Sequence, residues 1–188
     1  MLLTVAICTR NRAQSLERTL QQMTQLTVPT GTDWELVVVN NNSTDHTDDV
    51  IATFSDRLPV RRLCEPNPGK SYALNHAIRS ARGEYILWTD DDVLVDPCWL
   101  SAYREAFAQW PDAAVFGGPI DLQFAGTPPP WLLRVLPQIP WTYARVETSE
   151  TPAPISASKP PVGANMAIRT REQARHLYDV RLGPQPSS

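Results

Sequence analysis

Short apolar runs alternate along most of this chain with stretches whose apolar residues recur at helical spacing. Leu2 to Cys8 is apolar and β-prone, as expected of a strand buried on both faces. Leu16, Leu20 and Met23 then recur along one face of a helix, and Asn11 with Gln14 has the form of a capping box at its start. Trp34 to Val39 predicts a second strand, and Val50, Ile51 and Phe54 mark a second helix. Val60 to Cys64 predicts a shorter third strand. Leu74, Ala77, Ile78 and Ala81 lie on one face of a third helix, which Gly83 is expected to close.

The fourth apolar run is the informative one. Tyr85-Ile86-Leu87-Trp88 leads straight into Thr89-Asp90-Asp91-Asp92. Adjacent carboxylates repel one another, and burying them unpaired is costly. The strand is therefore expected to end at Thr89, with the acids projecting from its C-terminal edge. Ligands of open α/β sheets bind outside that edge. Acids clustered there suit a divalent cation that clamps phosphates.

Asp96-Pro97 suits the cap and first residue of a fourth helix carrying Leu100, Tyr103, Phe107 and Trp110. Ala113 to Phe116 predicts a fifth strand, ended by Gly117-Gly118. Strands alternating with helices imply a mostly parallel α/β sheet, Rossmann-like, with helices on both faces. From Pro119 the pattern changes. Pro128-Pro129-Pro130-Trp131 and Leu136-Pro137 to Pro140-Trp141 predict an irregular, aromatic-bearing segment, and Glu147 to Pro161 a mobile loop. Val162 to Arg169 then predicts a strand returning to the sheet, followed by a helix over about Arg171 to Leu177.

Composition narrows the setting. A chain of 188 residues with 42% hydrophobic residues can bury one sizeable core. A net charge of -3 gives no sign of a general nucleic-acid or polyanion surface. Cys8, Cys64 and Cys98 form neither a metal motif nor a disulfide frame, which fits reduced cysteines and a cytoplasmic location. No apolar run approaches the ~20 residues of a membrane span, and Met1 to Val5 lacks the features of a signal peptide.

Other loops on the same side add candidate chemistry. Thr9-Arg10-Asn11-Arg12 precedes a helix start, where backbone N–H groups meet phosphate or nucleotide. Asn40-Asn41-Asn42-Ser43-Thr44-Asp45 follows the second strand, and Asn amides offer both donors and acceptors to a base. Lys70 stands at the start of the third helix, where a cation opposes the helix dipole unless an anion lies nearby. No loop carries the Gly-x-Gly-x-x-Gly fingerprint or a Walker P-loop.

Several segments in order now resemble the family 2 glycosyltransferases, which have the GT-A fold. They are Val5-Ala6-Ile7-Cys8-Thr9-Arg10-Asn11-Arg12, Val37 to Asp45, and Asn67-Pro68-Gly69-Lys70-Ser71-Tyr72-Ala73-Leu74-Asn75. Gly83-Glu84-Tyr85 into Thr89 to Asp92, and Gly163 to Arg169, continue the likeness over nearly the whole chain.

The resemblance implies sugar transfer from a nucleotide-diphosphate sugar to an acceptor hydroxyl, usually with inversion. On it, residues 1–188 form a single domain, with 1–118 the nucleotide-binding half and 119–188 part of the acceptor-binding half. Thr9, Arg10, Asn11, Asn40, Asn41, Asn42, Lys70, Asn75, Asp90 and Asp91 would hold the nucleotide. Asp90 and Asp92 would hold Mg²⁺ or Mn²⁺ on the diphosphate, and Gly163, Ala164 and Asn165 would meet donor sugar or acceptor. The acceptor would be a glycan, a lipid-linked group or a small molecule, and peripheral association with the inner membrane face fits such acceptors.

Two departures stand out. Asn40 and Asn41 replace an acid that many relatives carry at the base contact. Relatives also continue past a segment like Tyr178 to Gly183 into the motif that supplies the catalytic base, so the chain reads as truncated there. Asp121 is the substitute candidate within these residues. Two other readings stay open: a nucleotide-sugar-binding module without turnover, and a metal-dependent nucleotidyltransferase. The second would want glycine in the Thr9 to Arg12 loop, which has none.

Overall fold

The computed structural model describes residues 1–139, 144–148, 152–155 and 160–182. Among these described residues, six strands build one sheet: β1 (Leu2–Thr9), β2 (Asp33–Asn40), β3 (Val60–Cys64), β4 (Tyr85–Trp88), β5 (Val115–Gly117) and β6 (Met166–Arg169). Their order is β3-β2-β1-β4-β6-β5. β1 pairs in parallel with both β2 and β4, and β2 with β3. β6 runs antiparallel between β4 and β5. The strands that start at residues 2, 33, 60 and 85 therefore all open their C-terminal ends on one edge.

Helices cover both faces. Leu3, Val5, Ile7, Leu36, Val38 and Leu87 point to one face, where they pack on Leu16, Leu20 and Met23 of α1 (Ala13–Met23), Val50 and Ile51 of α2 (Thr47–Thr53), and Leu100 of α4 (Trp99–Gln109). Ala6, Val37, Val39, Ile86 and Trp88 point the other way, onto Ala73, Ala77 and Ile78 of α3 (Lys70–Ser80). Because successive strand residues alternate faces, these unbroken apolar runs serve two cores at once. Each fully buried Leu or Val contributes roughly 1.5–3 kcal/mol. Tyr85 stacks on Phe107 with ring centroids 3.8 Å apart, and Phe116 meets both rings edge-on, which fastens α4 and β5 to the sheet.

Several local expectations are corrected. Asn11 does not cap α1; the Ala13 N–H donates to Asp45 Oδ2 at 3.1 Å instead. α4 starts at Trp99 rather than Pro97, and Asp96 Oδ1 accepts from the Cys98 N–H at 2.7 Å ahead of it. Trp110 is the C-terminal cap of α4 and 36% exposed, so it lies beyond the helix rather than among its buried residues Leu100, Tyr103 and Phe107. Gly83 lies beyond the extended cap residue Ala81 and does not close α3. Gly83 is fixed by close approach: a Cβ there would lie 2.4 Å from the Thr4 backbone nitrogen. β4 ends at Trp88, though the Thr89 N–H still donates to Ala6 O at 3.3 Å. The last helix is a single turn, α6 (Thr170–Gln173).

Within the irregular segment after β5 the chain forms a short helix, α5 (Pro130–Val135), followed by a 3-10 turn over Leu136–Gln138. Pro140 and Trp141, most of the 149–159 stretch of the expected loop, and residues 183–188 lie outside the described residues. No helix among the described residues is long and apolar enough to cross a membrane.

Candidate active site

The three acids leave β4 beside the loops that leave β1 and β2. Asp91 is 3% exposed, and its carboxylate accepts from Thr9 Oγ1 at 2.7 Å and from Arg12 Nη1 at 2.8 Å. Burial lifts the Asp91 pKa above the usual carboxylate range, against the opposing pull of Thr9 and Arg12. Asp92 accepts from Arg12 Nη2 at 2.8 Å, and Asp90 from Lys70 Nζ at 3.0 Å. Burial works against the Lys70 ammonium, but the Asp90 charge outweighs it and raises the Lys70 pKa. Cys8 forms part of the floor nearby, where burial pushes its thiol up to about 12. Such a thiol is inert as a nucleophile.

The β1 and β2 loops are tied to each other. Asn11 and Asn42 both adopt left-handed backbone, with φ of 51° and 58°, which Asn tolerates better than most residues. The Asn11 N–H donates to Ser43 Oγ at 2.9 Å, and Asn11 Oδ1 accepts from the Thr44 N–H at 2.7 Å. Asp45 then serves two helices, accepting from the Ala13 N–H of α1 and the Thr47 N–H of α2, each at 3.1 Å.

Asn40 and Asn41 brace the walls. Asn40 Nδ2 donates to Asp48 Oδ1 at 2.6 Å, while its Oδ1 accepts from the Ser43 N–H. Asn41 Nδ2 donates to Asn67 O at 2.7 Å and Glu65 O at 3.2 Å, and Asn41 Oδ1 accepts from the Gly69 N–H at 2.8 Å. That last bond sets Gly69 at a φ of 139° and so aims the start of α3, with Lys70, at the edge.

The remaining candidates fall in two places. Asn75, on α3, holds the Tyr178 backbone in a pair of 2.8 Å bonds, which brings residues 178–182 back across this face. Ser71 Oγ reaches Leu182 O at 2.7 Å in the same way. Asn165 Oδ1 accepts from Trp99 Nε1 at 2.9 Å and Tyr103 OH at 2.8 Å, and its Nδ2 donates to Pro119 O. Gly163 is exposed and Ala164 buried beside it. Asp121 stands apart: its side chain is 85% exposed and pairs with Arg145 at 3.4 Å. The structure thus gathers Thr9, Asn11, Asn40, Asn41, Asn42, Lys70, Asp90, Asp91 and Asp92 on linked loops, and ties Asn165 and Asp121 into other contacts. Arg10 is half-buried in the β1 loop, and its Nη1 has no hydrogen-bond partner among the described residues.

From the sequence, Arg10 and Arg12 could equally add charge to this loop or be solvated surface. The β1–β4 pairing places Arg12 against Asp91 and Asp92, a partnership that its position in the sequence did not show.

In open α/β sheets ligands bind beyond the C-terminal ends of the parallel strands, and these charged residues sit at that edge. Residues 4–171 match the family described as "Glycosyl transferase family 2", and the chain belongs to that family. Over 109 residues it is 34% identical to validoxylamine A glucosyltransferase of Streptomyces hygroscopicus, a match covering 57% of this chain and 26% of that protein. Among solved structures it resembles residues 1–349 of S. aureus TarS, with a TM-score of 0.74 at 17% identity over 98% of this chain and 52% of that one. It also resembles the mannosyltransferase PcManGT of Pyrobaculum calidifontis, solved with GDP-Man and Mn²⁺, with a TM-score of 0.63 at 23% identity, covering 89% and 44%. The sheet is thus of the GT-A type. The chain spans about half or less of the relatives it matches.

Proposed function

We propose that the edge beyond β1, β2 and β4 binds the nucleoside diphosphate of a nucleotide sugar, and that the whole enzyme transfers the sugar to an acceptor hydroxyl with inversion. The convergence of the Thr9–Arg12 loop, the Asn40–Asp45 loop, Lys70 and Asp90–Asp92 at one edge carries this reading. The likeness to PcManGT, solved with GDP-Man and Mn²⁺, supports it.

The donor set fits a divalent cation. Asp90 and Asp92 are part-exposed carboxylates, each with a single cationic partner. No three His, Cys, Asp or Glu side chains among the described residues form a ready-made cage. Mg²⁺ and Mn²⁺ suit such a half-site, since they take one or two carboxylates together with substrate phosphates and water. A bound ion would supply charge against the leaving diphosphate.

The chain's own residues do the rest. Lys70 and the N-terminal N–H groups of α3 receive phosphate. Asn11, Asn40 and Asn41 hold the loops that shape the base and ribose pocket. Asp91 stays with Thr9 and fixes the acid loop in place. A base must take the acceptor proton as its oxygen attacks the anomeric carbon.

Asp121, exposed and paired with Arg145, is a poor base as placed. That favours a second reading for these 188 residues by themselves: donor binding without turnover.

Calorimetry of UDP and GDP with and without Mn²⁺ tests the function. Binding should tighten with Mn²⁺ and lose that gain in Asp92→Ala. Equal affinity in both conditions would refute the reading. Nucleoside diphosphate release against donor and acceptor panels separates transfer from binding alone.

A further inference from the structure

We propose that Arg12 is a resident counter-ion that a divalent cation must evict from Asp92, so that the cation site stays closed until a nucleotide brings its own negative charge. This inference rests on the reading of Asp90 and Asp92 as cation ligands.

The two bonds of Arg12 are unequal. Its guanidinium spans two different carboxylates, with Nη1 on Asp91 and Nη2 on Asp92, both at 2.8 Å. Asp91 is buried and also held by Thr9, so that contact is an anchor. Asp92 is half-exposed, and Arg12 is its one polar side-chain partner among the described residues. An ion pair in contact with water is weak and easily exchanged. Arg12 itself is half-exposed and makes no other side-chain hydrogen bond among the described residues. Its outer nitrogen can therefore leave Asp92 for water while the inner one stays on Asp91.

Charge explains why eviction awaits the nucleotide. With Arg12 on Asp91 and Asp92 and Lys70 on Asp90, the three acids already face two internal cations. A bare divalent ion meets both carboxylates occupied and two positive groups close by. A diphosphate shifts that balance, because it draws Lys70 and offers the freed Nη2 of Arg12 phosphate oxygens as charge-assisted acceptors. Cation and nucleotide then bind together rather than cation first.

The test measures Mn²⁺ binding without nucleotide, by the electron paramagnetic resonance of free Mn²⁺ titrated with the protein. Wild type should bind weakly. Arg12→Ala should bind about tenfold tighter or more, in line with the way carboxylate availability tunes cation affinity. Arg12→Lys keeps the charge but loses the fork, and should fall between the two. Arg18→Ala is the control. Arg18 shares with Arg12 a cleft at the start of α1 that none of the three acids lines, and among the described residues it makes no bond to them. It should shift affinity far less than Arg12→Ala.

Thermal unfolding checks that each variant is folded, and Arg12→Lys carries the test if Arg12→Ala is not. Unchanged affinity in the Arg12 variants overturns the proposal, as does equal tightening by Arg18→Ala or no Mn²⁺ binding by any of the proteins. If wild-type nucleotide binding ignores Mn²⁺, the functional reading itself falls. If it depends on Mn²⁺ while Arg12 has no effect without nucleotide, only this inference falls.

Discussion

Asn75 exchanges two hydrogen bonds of 2.8 Å with the backbone of Tyr178, across 103 residues of sequence. The α3 helix that presents Lys70 thereby also latches the segment that crosses its face. Asn75→Ala leaves the Tyr178 N–H and C=O without their partner. We expect a loss of about 1–3 kcal/mol in urea unfolding, with faster amide exchange over residues 178–182. Unchanged exchange there would show that Ser71 and packing hold the segment alone.

Asn41 separates two roles by the same logic. Its amide is held by Glu65 O, Asn67 O and the Gly69 N–H, so its effect on nucleotide should pass through the loop that aims Lys70. Asn41→Ala should lower unfolding stability and nucleotide affinity together, each by about 1–3 kcal/mol. A loss of affinity with no loss of stability would mean a direct contact with the base.

Asn165 is expected to behave as a structural joint. Asn165→Ala strands the Trp99 indole N–H and the Tyr103 hydroxyl, and should cost about 1–3 kcal/mol of stability. Gly118→Ala should damage the same joint, because its Cβ would lie 2.4 Å from Asn165 Nδ2. Chemical denaturation of both variants is the check. A folded Asn165→Ala of normal stability that has lost donor binding would return Asn165 to the sugar.

Gly83→Ala should be worse than an ordinary surface change. The new Cβ would meet the Thr4 backbone, which cannot turn aside as a side chain could. Overpacking of this kind costs about 1–3 kcal/mol, read as a lower melting temperature.

Acid stability should depend on Glu35. Burial raises its pKa, but bonds from Thr4 Oγ1, the Arg82 N–H and Arg61 outweigh that and hold it below the ordinary glutamate value. A carboxyl whose pKa is lower folded than unfolded binds its proton more readily unfolded. Its contribution is therefore complete above the unfolded pKa and drains away as pH falls through the folded one. Glu35→Gln should be less stable than wild type at neutral pH, with the gap narrowing on acidification. A pH series of denaturant midpoints tests this, and a gap constant with pH would contradict it.

The order of strands and helices up to β5 was legible in the sequence. Unbroken runs such as Val37-Val38-Val39 can be buried only between two covered faces. Leu16, Leu20 and Met23 give α1 a single side to bury, and Asp90-Asp91-Asp92 cannot continue a core strand. These are local demands of solvation, so they show in one dimension. What the sequence did not determine lies between segments. Asp45 in place of Asn11 at the start of α1, Asn75 on Tyr178 and Asn165 on Trp99 and Tyr103 all join residues tens of positions apart. Arg12 against Asp91 and Asp92 is the same case. A side chain's polarity says that it needs a partner. Which partner it meets is decided only when β1 pairs with β2 on one side and β4 on the other, because that pairing sets which loops stand within the reach of a hydrogen bond.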